Sequence, residues 1–182
     1  GGGILLRNGA TGLVSGSQTS IGLNSSILGP NQATNGNGGG ICVLDSVLVV
    51  SNTARVAHNR ASGAGGGIYV SNGVCRLYRT YIGSDNHTNY AGSGGGIAAQ
   101  QSTVLVASTT RILSSRAVAG GGLALDGCDV VIERDAIVGD ADPVVANMAW
   151  VGGGLYAGNS RINLQGTIWN NAAVLIGGGG LA

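Results

Sequence analysis

Apolar residues alternate with polar or small ones in short runs, and the runs themselves recur. Ile4 and Leu6, Ile41 and Val43, Ile68 and Val70, Ile97 and Ala99, Leu123 and Leu125, and Leu155 and Ala157 form six such pairs. Each pair has the two-residue spacing that returns a strand's side chains to one face. A polar bend follows: Arg7-Asn8-Gly9, Asp45-Ser46, Ser71-Asn72-Gly73, Gln101-Ser102, Asp126-Gly127 and Gly158-Asn159-Ser160. Asn and Gly tolerate the left-handed backbone that a sharp bend requires. A second alternation then carries Leu48 and Val50, Cys75 and Leu77, Val104 and Val106, Val130 and Ile132, and Ile162 and Leu164. Thr53, Thr80, Thr109, Asp135 and Thr167 mark a second polar corner. A third short apolar stretch holds Val56, Ile82, Ile112, Ile137 and Ile168, before an Asn-, Ser- and Ala-rich return.

Every return ends in one word, three glycines followed by Ile or Leu, beginning at Gly1, Gly38, Gly65, Gly94, Gly120, Gly152 and Gly178 at intervals of 37, 27, 29, 26, 32 and 26 residues. Repeats of this length signal a solenoid, in which each coil completes its apolar face only against its neighbours. No segment has the sustained helical period of leucine-rich, ankyrin or tetratricopeptide repeats, and hexapeptide helices need a shorter internal period. The pattern predicts an all-β, right-handed parallel β-helix of about six coils with three short strands per coil, the hand following the usual crossover rule. Residues 1–182 read as one domain, a segment of a longer repeat protein, with inserted loops at about 14–37 and 139–151. The glycine triplets Gly38, Gly39, Gly40; Gly65, Gly66, Gly67; Gly94, Gly95, Gly96; Gly120, Gly121, Gly122; and Gly152, Gly153, Gly154 read as structural corners, like the threonines. No lysine follows them as in a phosphate loop, and each leads into a strand rather than a helix.

Composition narrows the class. Among 182 residues 36 are glycine and only 2 are proline, without the strict period of collagen. The aliphatic content argues against disorder. All nine basic residues are arginine, the net charge is +1, and no basic run or aromatic stacking series occurs, which disfavours a nucleic-acid partner. No apolar run reaches the ~20 residues of a membrane span. Cys42, Cys75 and Cys128 have no metal-type spacing and fall at different points of their repeats, so they read as small buried hydrophobes or free thiols.

Gly38-Gly39-Gly40-Ile41, Val56-Ala57-His58-Asn59 and Ile168-Trp169-Asn170-Asn171 resemble the Gly-Gly-Ala-Ile/Leu/Val and Phe-x-x-Asn words of chlamydial polymorphic outer membrane proteins. The third glycine replaces Ala throughout, and Phe never occurs. The resemblance covers nearly the whole chain. It implies an autotransporter-type passenger segment at the bacterial outer surface, extracellular, with a display, stalk or adhesin role and a host-surface or glycan ligand. The alternative is a polysaccharide-binding or polysaccharide-processing β-helix whose site lies on the long loops or outside this segment.

Catalytic chemistry is sparse. The Asn-Thr-Asp, Gly-His-Gly and Arg-Ile-Lys words of polygalacturonases do not occur, and nothing calls for a cofactor. Asp126, Asp129, Glu133, Asp135, Asp140 and Asp142 put six of the eight carboxylates in one coil. Only Asp140 and Asp142 share the inserted loop, which makes them weak calcium candidates. Column positions suggest ion pairs of Asp129 with Arg161 and of Arg116 with Asp142 as the plainer use of this charge. His58, Asp85 and Ser114 occupy one offset of three coils, but that order would put Ser and His nearly 10 Å apart at rungs of ~4.8 Å, too far for a base and its nucleophile. Regular threonine arrays suit ice binding, yet only Thr109-Thr110 is doubled. Tyr69 and Tyr156 share an outward column but are separated by two full coils, too far for continuous stacking along one glycan. Strands left open at the two ends of the repeat predict head-to-tail self-stacking.

Overall fold

A computed structural model describes residues 1–22, 29–85, 87–174 and 179. The chain is a parallel β-helix with four sheets, each of six strands stacked strictly in sequence order. The first sheet stacks Ile4–Leu6, Ile41–Leu44, Ile68–Ser71, Ile97–Gln100, Leu123–Asp126 and Leu155–Gly158. The second stacks Thr11–Ser15, Val47–Ser51, Val74–Tyr78, Thr103–Val106, Asp129–Ile132 and Arg161–Leu164. The third stacks Ser20–Ile21, Arg55–Val56, Tyr81–Ile82, Arg111–Ile112, Ile137–Gly139 and Thr167–Trp169. The fourth stacks Asn31–Ala33, Asn59–Ala61, Asn89–Tyr90, Ser115–Arg116, Met148–Ala149 and Ala172–Ala173. The only helical element among the described residues is a short 3-10 turn, Pro143–Val145, so no helix there is long and apolar enough to cross a membrane.

Four strands per coil replace the expected three, and the reason is chemical. The fourth strand is the Asn- and Ser-rich return, whose inward residues are polar or alanine, as Asn59 and Ala61 are, so alternation of large aliphatics does not reveal it. Asn31, Asn59, Asn89, Ser115, Asn147 and Asn171 stack as an internal ladder. Asn31 Nδ2 donates to Asn59 Oδ1 at 3.0 Å, Asn59 Nδ2 to Asn89 Oδ1 at 3.2 Å, and Asn147 Nδ2 to Asn171 Oδ1 at 2.9 Å. The amides also close the neighbouring turn, with Asn89 Nδ2 donating to Val56 O at 2.9 Å and Asn147 Nδ2 to Ile112 O at 2.7 Å. Asn59, Asn89 and Asn147 are fully buried, and buried polar groups persist only when paired in this way. Between this ladder and the first two sheets lies a continuous aliphatic core that includes Ile41, Leu48, Ile68, Leu77, Ile97, Val106, Leu123 and Ile132.

Each corner of the coil uses a left-handed residue. At the first corner Asn8, Asp45, Asn72, Gln101, Gly127 and Asn159 have φ between 47° and 63°. At the second, Thr53, Arg79, Thr109 and Asp135 have φ between 50° and 65°. The threonines expected as one column therefore divide. Thr53 and Thr109 take the left-handed position, whereas Thr80 stands one place later in register, fully buried, with its hydroxyl donating to Ala54 O. Thr167 is the first residue of a third-sheet strand and pairs with Ile137. The same one-residue slip corrects the third apolar column, where Val138, not Ile137, stacks between Ile112 and Ile168. A loop of one extra residue at a corner is invisible to a count of offsets.

The glycine word forms the fourth corner, and its three positions are required for different reasons. The first, at Gly38, Gly65, Gly94, Gly120 and Gly152, has φ between 58° and 70°, a region costly for a residue with a Cβ. At the second, a Cβ on Gly39 or Gly66 would stand 2.5 Å from the carbonyl oxygen of Gly66 or Gly95 in the next rung. At the third, a Cβ on Gly40 would meet Gly67 O at 2.7 Å and Asn59 Cγ at 2.9 Å. The ladder and the glycines thus occupy one another's space. The seventh copy, at Gly178, falls largely outside the described residues.

Coil lengths vary at one place above all, the corner between the third and fourth sheets. Val56 and Asn59, Ile112 and Ser115, and Ile168 and Asn171 stand three positions apart, whereas Ile21 and Asn31, Ile82 and Asn89, and Val138 and Asn147 stand ten, seven and nine apart. Coils one, three and five therefore carry loops on the same edge. Within 14–37, Ser20–Ile21 and Asn31–Ala33 continue the sheets, so the extra residues of coil one gather between them, with 23–28 outside the described residues.

Candidate functional site

Outward-pointing residues of the third sheet line up as Arg55, Tyr81 and Arg111 on three successive rungs. The loops of coils three and five rise beside them and make one wall of a groove of about 550 Å³, to which they contribute Ser84, Asp85, His87, Asp140 and Asp142. Further hollows adjoin it at both ends, over Thr19 and Ser20 toward coil one and over Ile137 and Thr167 toward coil six. The groove therefore follows the stacking axis across all six rungs, roughly 24 Å at ~4.8 Å per rung.

Local contacts fix this floor. The Arg55 guanidinium lies over the Tyr81 ring, 5.4 Å from its centroid, a cation–π geometry. Arg111 Nη1 donates to Asp140 Oδ2 at 3.0 Å. Asp140 Oδ1 accepts from Asp142 N at 3.2 Å, and Asp142 Oδ1 accepts from Val144 N at 2.9 Å as the cap of the 3-10 turn. Both calcium candidates thus have structural duties inside their loop, one in an ion pair and one as a cap. Val145 is buried under the loop, and its carbonyl accepts from Ser114 N at 2.6 Å. Asn170 Nδ2 donates to Ala141 O at 3.2 Å from the following coil. The coil-five loop is consequently tied to coils four and six.

The expected ion pair of Arg161 with Asp129 is present at 3.5 Å between strongly exposed side chains, where such pairs contribute under ~1 kcal/mol. That of Arg116 with Asp142 is replaced, because Asp142 is held at its cap and Arg111 takes the neighbouring Asp140 instead. His58 and Ser114 do share a column, but Thr88 stands between them, and Asp85 belongs to the coil-three loop. The hydroxyls of Thr88 and Ser114 lie 3.2 Å apart. His58 and Ser114 have φ of 57° and 47°, so both are corner residues. His87 reaches back over His58, with ring centroids 5.4 Å apart.

The cysteines are free and buried. Burial pushes the Cys75 thiol up to about 12, and burial raises that of Cys128 as well, which removes the thiolate that reactivity needs. Cys128 also serves as a corner group: its Sγ donates to Asp126 O at 3.3 Å, while its N–H donates to Ser160 Oγ at 3.0 Å. Tyr69 is buried in a small outer cluster with Cys42 and Ala98, its hydroxyl bonded to Gln100 Oε1 at 2.6 Å. Tyr156 is 39% exposed, and Ala98 and Ala124 fill the two rungs between the rings.

Sequence reasoning missed the Arg55, Tyr81 and Arg111 column. Its signal was present, since Arg55 precedes Val56 as Tyr81 precedes Ile82 and Arg111 precedes Ile112; a strand's outward position is read from its inward neighbour. Comparison of the chain with protein-family models, curated proteins and solved structures gives no match.

Proposed function

We propose that this chain is a binding segment of an exported bacterial surface protein, without catalytic activity of its own, which takes an extended glycan along the third sheet. The observation that carries this reading is the groove floored by Arg55, Tyr81 and Arg111 and walled by the corner loops of alternate coils. Its shape suits a linear polymer lying along the stacking axis. Its charges compensate one another, as Arg111 with Asp140 shows, so it offers donors and acceptors of both kinds to hydroxyl groups. Tyr81 adds an amphipathic ring, the residue type that anchors such contacts.

Binding is favoured over processing by how the carboxylates are used. A general acid and base must reach the substrate with a proton to give or take. Of the three carboxylates that line the groove, Asp140 and Asp142 are instead engaged by Arg111 and by backbone N–H groups, which leaves Asp85 alone where glycoside hydrolysis takes a pair. Placement outside the cell rests on the glycine word and the aliphatic-x-x-Asn word shared in outline with chlamydial polymorphic outer membrane proteins. Here those words form the fourth corner and its ladder.

Isothermal titration with a panel of neutral oligosaccharides tests the proposal. At least one linear member binds saturably, and Tyr81→Ala weakens it about tenfold, the equivalent of ~1.4 kcal/mol. Absence of saturable binding across the panel, or new reducing ends on incubation with the polymer, would overturn it.

A further inference from the structure

The fourth sheet repeats the order of the third with a different electrostatic setting. Its outward column runs Gln32, Arg60, Tyr90, Arg116 and Met148 on successive rungs. On the third sheet the arginines are compensated, one by Asp140 and one by the Tyr81 ring. On the fourth they are not: the ion pairs among the described residues are Arg111 with Asp140 and Arg161 with Asp129. A hollow of about 550 Å³ opens over Gln32, Arg60 and Tyr90, and no carboxylate lines it. Tyr90, on the rung between Arg60 and Arg116, is 41% exposed.

We infer that the fourth sheet carries a second site, separate from the groove of the third, for an acidic polysaccharide with a carboxylate on alternate sugars. Arg60 and Arg116 stand two rungs apart, roughly 10 Å at ~4.8 Å per rung, about the length of two sugar units in an extended chain. Each guanidinium presents a planar fork that matches a carboxylate, and two such charge-assisted pairs fix the register of the polymer. The sugar between them lays its apolar face on the Tyr90 ring. A nucleic acid fits less well: it places a phosphate every ~3.4 Å along each strand and is held by many cations at once. This column offers two, in a chain whose net charge is only +1.

The test is titration calorimetry at low salt with hyaluronan oligosaccharides, which bear a carboxylate on every second sugar, against neutral dextran and an oligothymidylate. The wild-type protein binds hyaluronan saturably, and affinity falls as salt screens the pairs. The double variant Arg60→Gln, Arg116→Gln loses at least about tenfold in affinity, as does Tyr90→Ala, while Tyr81→Ala retains hyaluronan binding. All four side chains sit on the outer face, and an unchanged circular dichroism melt establishes that each variant is folded. Equal affinity in the double variant, oligothymidylate bound as tightly as hyaluronan, or no saturable hyaluronan binding would each overturn the inference. Because Tyr81→Ala probes only the third sheet, either site can fail without the other.

Discussion

At the scale of single residues, the fold depends on small polar groups buried beside glycine. Asn89 accepts from Asn59 N at 3.0 Å and from Asn59 Nδ2 at 3.2 Å, and donates to Val56 O at 2.9 Å. Removing it strands the buried Asn59 N–H, and an orphaned donor costs about 1–3 kcal/mol, whereas Asn59 Nδ2 keeps Ile21 O and Ala57 O and Val56 O keeps the Gly83 N–H. Ser115 holds the next rung of the same ladder by donating to Leu113 O at 3.0 Å, while its N–H donates to Asn147 Oδ1 at 3.1 Å. A hydroxyl is thus accepted in this slot. Asn89→Ala is expected to lower the urea midpoint clearly, and Asn89→Ser to recover part of the loss; equal midpoints for the two variants would show that the space, and not the hydrogen bonds, matters. This ladder was legible only in outline: the aliphatic-x-x-Asn word marked Asn59 and Asn171, but an inward polar column looks like a loop to any reading that follows apolar periodicity.

At the scale of elements, the four corners have unequal freedom. Three are held by stacked left-handed residues or by glycines packed against the next rung's carbonyls, and they vary only by small steps, as the one-residue difference between Leu77 to Tyr81 and Val106 to Arg111 shows. The corner between the third and fourth sheets accepts insertions, because coils one, three and five carry them and coils two, four and six do not. Replacing the residues between Val138 and Asn147 by the short corner of coil four is therefore expected to keep the fold. It removes the Arg111–Asp140 pair and the bond from Ser114 N to Val145 O, while the ladder residues stay in register. A melting temperature within a few degrees of the parent is the expected result, read by far-UV circular dichroism; loss of the β signal would show that this loop is part of the core. The coil-five loop was visible as the 32-residue interval, whereas that of coil three was hidden, its 29-residue interval differing little from its neighbours. The groove between them was hidden for the same reason, since its walls depend on which corner receives the extra residues.

For the whole molecule, stability is a property of neighbours in a stack. The inward alternation of the second sheet was read correctly from sequence because those strands are long enough for period two to repeat, as Val104 and Val106 do inside Thr103–Val106. Val106 is fully buried, with Leu77 and Ile132 as its partners on the rungs to either side. Leu105 precedes it and faces outward beside Arg76. A carboxylate at 106 would enter the shared aliphatic core without a partner, and burying an unpaired charge costs several kcal/mol or more. The two flanking rungs would lose their packing with it, and in a one-dimensional stack that loss spreads to their own neighbours. Leu105→Asp introduces the same charge one residue away, on the solvent side and next to an arginine. Thermal unfolding followed by circular dichroism should give for Val106→Asp a β signal lost across several coils at once and at far lower temperature, and for Leu105→Asp a transition close to the parent. Similar behaviour of the two variants would mean that the strand's faces do not differ in burial, and with that the stacked core of the β-helix would have to be abandoned.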